Sequence, residues 1–142
     1  MLIDKEDKHL IENRNWHVKT FGDNSYYLSY TGGKETRLHR LILGVTDPRQ
    51  HIDHINGNGL DNRRCNLRLC NNAQNSMNRK KVLAKSGYKG VYPVGNKWQA
   101  SIWLNKKKKH LGLFGDKKKA AKAYDLAAEK YFGEFASLNF AE

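Results

Sequence analysis

The sequence predicts an α+β protein: an N-terminal β-hairpin and a small strand–loop–strand–helix unit, then a three-stranded antiparallel sheet packed on one helix. Three observations lead there. From Tyr88 to Phe114, short stretches of mixed apolar and polar residues are separated by Gly-Asn and Asn-Lys-Lys-Lys, the pattern of a β-meander. An alanine-rich stripe at helical spacing follows. Eight of the fourteen Asn lie between Asn56 and Asn78, and because the Asn amide competes for backbone hydrogen bonds, such enrichment marks tight turns, a site, or both.

At 142 residues the chain is one ordinary domain or two or three small ones. Its net charge of +12 is uneven: residues 1–43 carry +1, 44–85 carry +5 and 86–142 carry +6. A basic surface over the last hundred residues calls for a polyanion, most commonly nucleic acid. Cys65 and Cys70 are too few for a disulfide framework and lack the second ligand pair of a structural zinc site. No apolar run approaches membrane-spanning length and no secretory leader pattern opens the chain, so a soluble intracellular protein with no membrane partner is expected.

In chain order, residues 16–21 and 26–30 read as strands joined by Gly-Asp-Asn-Ser. Arg-Leu-His-Arg-Leu-Ile-Leu-Gly is a short helical pattern ending at Gly44, with Pro48 soon after; His39 within it reads as structural. Residues 50–55 and 64–69 are strands around the turn-rich Asn-Gly-Asn-Gly-Leu-Asp-Asn, and Asn71 or Asn72 caps a short helix. Asn75 then falls in that helix's first turns, where it costs about 0.5 kcal/mol relative to Ala; a task for its amide oxygen would account for it. Residues 79–87 form a basic linker whose Arg79, Lys80 and Lys81 suit a phosphate backbone and a solvated tether equally. This divides the chain into 1–78, 79–87 and 88–142.

In the C-terminal part, alternation sends Trp98, Ala100, Ile102 and Leu104 to one face, and Lys97, Gln99, Ser101 and Trp103 to the other. Leu111 and Leu113 are expected inward, Lys108 and His110 outward. Asp116 is the expected N-cap and Gly133 the residue after the helix. Ala120, Ala121, Tyr124, Ala127, Ala128 and Tyr131 share its stripe, so the helix covers one sheet face and leaves the other basic, with an exposed Trp.

Residues 51–78 suit phosphodiester hydrolysis. A hard cation wants oxygen ligands, and Asp53 and Asn75 would supply two. A near-neutral histidine, His54, would take a proton from the attacking water. Adjacent strand residues point to opposite faces, so Asp53 and His54 serve one phosphate only at the strand's end. His51, on Asp53's side, is a competing ligand.

The pattern His-Arg-Leu-Ile-Leu-Gly…His-Ile-Asp-His-Ile-Asn-Gly-Asn-Gly-Leu-Asp-Asn-Arg…Asn-Leu-Arg…Asn-Ser-Met-Asn resembles the HNH endonucleases, ββα-metal nucleases common among phage and intron homing enzymes. The resemblance implies His54 as general base, Asp53 and Asn75 as metal ligands, and Asn66 as the residue that orders the loop aiming His54. Asn75 in place of a final His favours one Mg²⁺ (or Mn²⁺) per site over zinc. Tyr88-Lys-Gly-Val-Tyr…Lys-Trp-Gln-Ala-Ser-Ile…His-Leu-Gly-Leu-Phe with its Ala-rich helix resembles the AP2/ERF DNA-binding domain, a sheet that reads the major groove. Its binding face maps to Lys89, Tyr92, Ser101, Trp103, Lys108 and His110, and Lys97 joins them by alternation. Tyr92 and Trp103 stand where that family has arginines, so its target sequence does not transfer.

The resulting expectation is a metal-dependent endonuclease that nicks double-stranded DNA. It would need no obligate protein partner and work in the cytoplasm, that of the host for a phage-borne gene. The alternative is a non-catalytic sequence-specific DNA-binding regulator on the same scaffold. RNA binding ranks third, because a face with so few aromatics is a poor base-stacking platform.

Overall fold

The computed structural model of the chain describes residues 1–21, 24–31, 33–78 and 85–140. They form two compact units, Met1–Asn75 and Ser76–Glu142, and the mixture of helices with antiparallel sheets is the expected α+β class. No helix among the described residues is long and apolar enough to cross a membrane.

The first unit opens with a 3-10 helix, Lys5–Leu10, followed by β1 (Trp16–Phe21), β2 (Asn24–Thr31), β3 (Lys34–Arg37), α1 (Leu38–Ile42), β4 (His51–His54), β5 (Leu67–Cys70) and the start of α2 (Asn72–Met77), whose last two residues belong to the second unit. The expected hairpin is a three-stranded meander, β1-β2-β3. Its third strand, Lys-Glu-Thr-Arg, is mostly exposed and has no apolar alternation to announce it. Leu38, Ile42 and Leu67 form the buried centre, with Ile3, Leu10, Trp16, Tyr27 and Ile52 among those packed around it. Three buried aliphatics contribute only about 6 kcal/mol, so polar contacts must hold the rest of the unit.

The N-terminal segment supplies several of them. Asn62 N donates to Leu2 O (2.8 Å), and Arg64 N donates to Asp4 Oδ2 (2.7 Å). The Arg64 guanidinium donates to both oxygens of buried Asp7 (2.9 and 2.6 Å). The first seven residues therefore strap the loop between β4 and β5.

The second unit contains β6 (Val91–Val94), β7 (Lys97–Leu104), β8 (Lys107–Phe114) and α3 (Lys117–Phe132), an antiparallel sheet in the order β6-β7-β8. Asn105 and Lys106 turn from β7 to β8 at φ 49° and 65°, the left-handed pair that matches strand twist. Asp116 Oδ1 caps α3 by accepting from Lys118 N (2.8 Å) and Lys119 N (3.0 Å). The buried Ala120, Ala121, Tyr124, Ala127 and Ala128 pack on Val91, Ala100 and Ile102, small side chains that let helix and sheet approach closely.

That closeness makes Gly90 obligatory. Its φ is +75°, and a Cβ there would lie 2.0 Å from the Tyr124 ring and 2.8 Å from Ser101 O. Gly90→Ala is expected to destabilise this unit by about 3 kcal/mol, overpacking and backbone strain combined. Urea unfolding of a Trp16→Phe background, followed by Trp98 and Trp103 fluorescence, checks it; an unchanged midpoint would refute it.

One expectation is corrected here. Leu113 faces outward, 51% exposed. Ala100 pairs with Gly112 but Ser101 pairs with His110, so a bulge accommodates Leu111 as an extra residue. One inserted residue reverses the side of everything after it. Leu111 and Phe114 consequently reach the core, and Leu113 joins the open face.

Candidate functional site

β4 stops at His54, where Gly57 N returns to His54 O (2.8 Å) and Ile55 N to Asn66 O (2.9 Å). His54 therefore stands at the strand's end, as a site shared with Asp53 requires. Alternation places Ile52 and His54 on one side. Ile52 joins the core there, and the His54 ring meets His39 of α1 edge-on, centroids 5.3 Å apart. His39 in turn abuts Tyr26, centroids 6.4 Å apart.

The proton on His54 has a definite place. Asn62 Nδ2 is turned to Gly59 O (3.4 Å), so Asn62 Oδ1 faces His54 Nε2 at 3.2 Å. An amide oxygen only accepts, so the neutral imidazole carries its hydrogen on Nε2 and its lone pair on Nδ1. Burial pushes the His54 pKa down, against the raising effects of Asn62, Asp53 and Asp61. Burial also lowers that of His39 to about 3, with His54, Arg37 and Arg40 adding to the effect. Both rings favour the neutral form.

Asp53 lies on the other side of β4, directly opposite Arg68 in the register. Its buried Oδ2 accepts from Arg68 Nε (2.9 Å) and Nη2 (2.7 Å). Asn75 is half-buried on α2, where Asn71 and Gln74 cap the helix reciprocally (2.9 Å each). No hydrogen bond joins Asn75 to Asp53 or His54 among the described residues.

Asn66, buried, closes the loop. Its Oδ1 accepts from Asn56 N (3.0 Å), and its Nδ2 donates to Asn56 Oδ1 (3.0 Å) and Asp61 O (2.7 Å). Asp61 also accepts from Asn56 Nδ2 (3.0 Å) and from Arg63 (2.8 and 2.6 Å), and the Arg63 guanidinium lowers its pKa to about 2. The clustered asparagines thus cross-link a loop too short of apolar residues to pack. Asn66→Ala is expected to cost about 3 kcal/mol, since it strands the Asn56 N–H and the Asp61 carbonyl. Asn66→Asp should not rescue it, because a carboxylate cannot donate to that carbonyl. Urea unfolding read by Trp16 fluorescence, with exposed Asn58→Ala as control, measures both.

Asn62, His39 and Arg68 escape the sequence reading. Asn62 was visible only as one of many loop asparagines, and Arg68 would follow from Asp53 once the β4–β5 register is known. His39 gives no signal, because an apolar helix face explains it equally well. Cys65 and Cys70 are free thiols.

On the second unit's sheet, Tyr92, Lys97, Trp103, Lys108 and His110 are exposed as expected, Trp103 at 60%. Two of the expected residues are covered rather than exposed. Ser101 is buried, with no hydrogen-bond partner for its hydroxyl among the described residues; Lys108 reaches across the sheet to lie 5.0 Å from the Tyr92 ring centroid, over the row that holds Ser101. Lys89 is half-buried, its ammonium donates to Met77 O (2.8 Å), and burial lowers its pKa to about 8. Lys89 is thus partly covered, and Ser101 shares the face of Gln99 and Trp103 but lies beneath its neighbours. Arg79, Lys80 and Lys81 lie outside the described residues.

Comparison with known proteins fits both units. Residues 44–77 match the model of the HNH endonuclease family. An uncharacterized HNH endonuclease of Acanthamoeba polyphaga mimivirus is 34% identical over 136 residues, 92% of this chain and 69% of that protein. A rice AP2/ERF and B3 domain-containing protein is 46% identical over 56 residues, and an Arabidopsis thaliana AP2/ERF and B3 domain-containing transcription repressor 39% over 59. Those stretches cover 39% and 41% of this chain but only 15% and 16% of the plant proteins, a likeness confined to a short stretch of each. With the family model falling on the loop that holds His54, and a relative similar along nearly the whole length, the chain belongs to the HNH endonuclease family.

Proposed function

We propose that this protein is a divalent-metal-dependent endonuclease that nicks double-stranded DNA. Residues 1–78 would act as the nuclease, 79–87 as a basic tether, and 88–142 as the DNA-holding module. The observation that carries the reading is His54: a neutral imidazole at a strand end, its proton held on Nε2 by Asn62 and its lone pair left on Nδ1. In this reading Nδ1 takes the proton as a water oxygen bonds to phosphorus and the bond from phosphorus to the 3′ oxygen breaks. Asn66 keeps the loop closed, and Asn62 and His39 hold the ring.

Asp53 and Asn75 offer only oxygen, which suits Mg²⁺ or Mn²⁺ with several retained waters better than zinc. Such an ion would neutralise charge developing on the phosphate and the departing oxygen. A single site of this kind cuts one strand per encounter, hence nicking. The cytoplasm, that of the host for a phage-borne gene, is the proposed compartment.

One observation favours the regulator instead: Arg68 already neutralises Asp53 and would compete with a bound ion. Plasmid incubated with the protein in Mg²⁺, Mn²⁺ or EDTA separates the two. Open-circle DNA that forms with metal and not with EDTA supports the nuclease. Duplex binding indifferent to EDTA, with no cleavage in either metal, supports the regulator.

A further inference from the structure

The strand register builds a row across the open face of the second unit's sheet. Tyr92 is opposite Gln99, and Gln99 is opposite Leu113. Tyr92 is 40% and Leu113 51% exposed, with Gln99 half-buried between them. Two strand spacings make the row about 10 Å across, comparable with the B-DNA major groove at about 12 Å. The Gln99 amide makes no hydrogen bond among the described residues, and Lys97, Lys108 and His110 surround the row with exposed basic side chains.

The composition of this face narrows what it reads. Residues 86–142 contain eleven lysines and no arginine, and none of the lysines lies on the row itself, so neither of the cations that pair with guanine O6 and N7 is part of it. The row instead offers an amide flanked by two exposed carbon surfaces. Asn and Gln pair bidentately with adenine N6 and N7, and apolar carbons pack on the thymine methyl. A flat apolar pair beside a free amide has little to gain from a G·C pair, which lacks that methyl.

We propose that Tyr92, Gln99 and Leu113 form a base-reading row for A·T pairs in the major groove, with Gln99 on adenine and Tyr92 and Leu113 on thymine methyls. This rests on the reading of residues 88–142 as the DNA-holding module. Leu113 enters the row only through the bulge at Leu111, and Gln99 is the only amide on it.

The test uses the full chain in EDTA, so that DNA remains intact. Duplexes selected from a randomised pool are remade with uracil for thymine, which removes only the 5-methyl group. Selected cores rich in A·T are expected, with affinity falling about fourfold for each thymine read. In Leu113→Ala the uracil effect should shrink. Gln99→Ala should lose about tenfold preference for A·T over G·C while keeping its affinity for random duplex. Equal affinity for thymine and uracil duplexes, or selected G·C cores, overturns the row while leaving the DNA-holding reading intact. Failure to retain any duplex at low salt overturns both. Because uracil substitution alters the DNA alone, the outcome does not depend on how a variant folds.

Discussion

His54→Ala is expected to lower Mg²⁺-supported nicking by about a thousandfold, while duplex affinity stays within about threefold. The first part follows from what the ring contributes: at neutral pH no other group described at the end of β4 is a neutral base. Asp53 is committed to Arg68, Asp61 to Arg63, and His39 has its Nδ1 buried behind His54. The second part follows from where the charge lies, since the substitution removes no lysine or arginine. Free imidazole added to the variant should restore part of the nicking, because it replaces the lost base without altering the loop. Rates of plasmid relaxation and filter binding, measured on the same preparation, read both quantities. Undiminished nicking by His54→Ala would remove His54 from the chemistry. A parallel loss of binding would make it a structural residue instead.

The sequence was most legible where one local rule governed each residue. α3 is bounded as expected because Asp116 can cap, Gly133 can adopt a φ of 51°, and the alanine stripe has a single period. β7 followed from alternation alone. What escaped depends on partners distant in the chain. The bulge at Leu111 arises from pairing with β7, and it reversed Leu113. The polar strand β3 is held by hydrogen bonding to β2, since its side chains bury almost nothing. At the candidate site, Asp53, His54, Asn66 and Asn75 were nameable because their residue types are chemically unusual for their positions. The orientation of His54 was not legible, because Asn62 and His39 reach it from a loop and a helix whose placement depends on the whole unit. Lys89 and Ser101 show the same limit in reverse: their types suit a binding face, but three-dimensional neighbours bury them.

The second large effect concerns acid. His39 is neutral when folded because its pKa has fallen to about 3; in the unfolded chain it returns to its ordinary value of 6.5. Below that value the unfolded state takes up a proton that the folded state refuses, so stability falls as the pH falls. The slope is about 1.4 kcal/mol per pH unit, and the total loss by pH 3 is of order 4 kcal/mol. The groups facing His39 act in the same direction. His54 and Tyr26 hold its ring, Arg37 and Arg40 oppose a charge on it, and His54 has a lowered pKa of its own. The Asp61–Arg63 pair loses its stabilising effect as the pH falls from the ordinary 3.8 of Asp61 through about 2, so it leaves the window between pH 6.5 and about 4 to the histidines. His39→Phe keeps a flat ring against Tyr26 and His54 and removes the titration. In a Trp98→Phe, Trp103→Phe background, Trp16 reports unfolding of residues 1–75, and urea curves from pH 7 to 4 give the proton uptake. The variant should bind about one proton fewer on unfolding than its parent. An identical pH slope in both proteins would mean that His39 is already charged in the folded state, and that it cannot serve as the neutral wall against which the His54 ring is held.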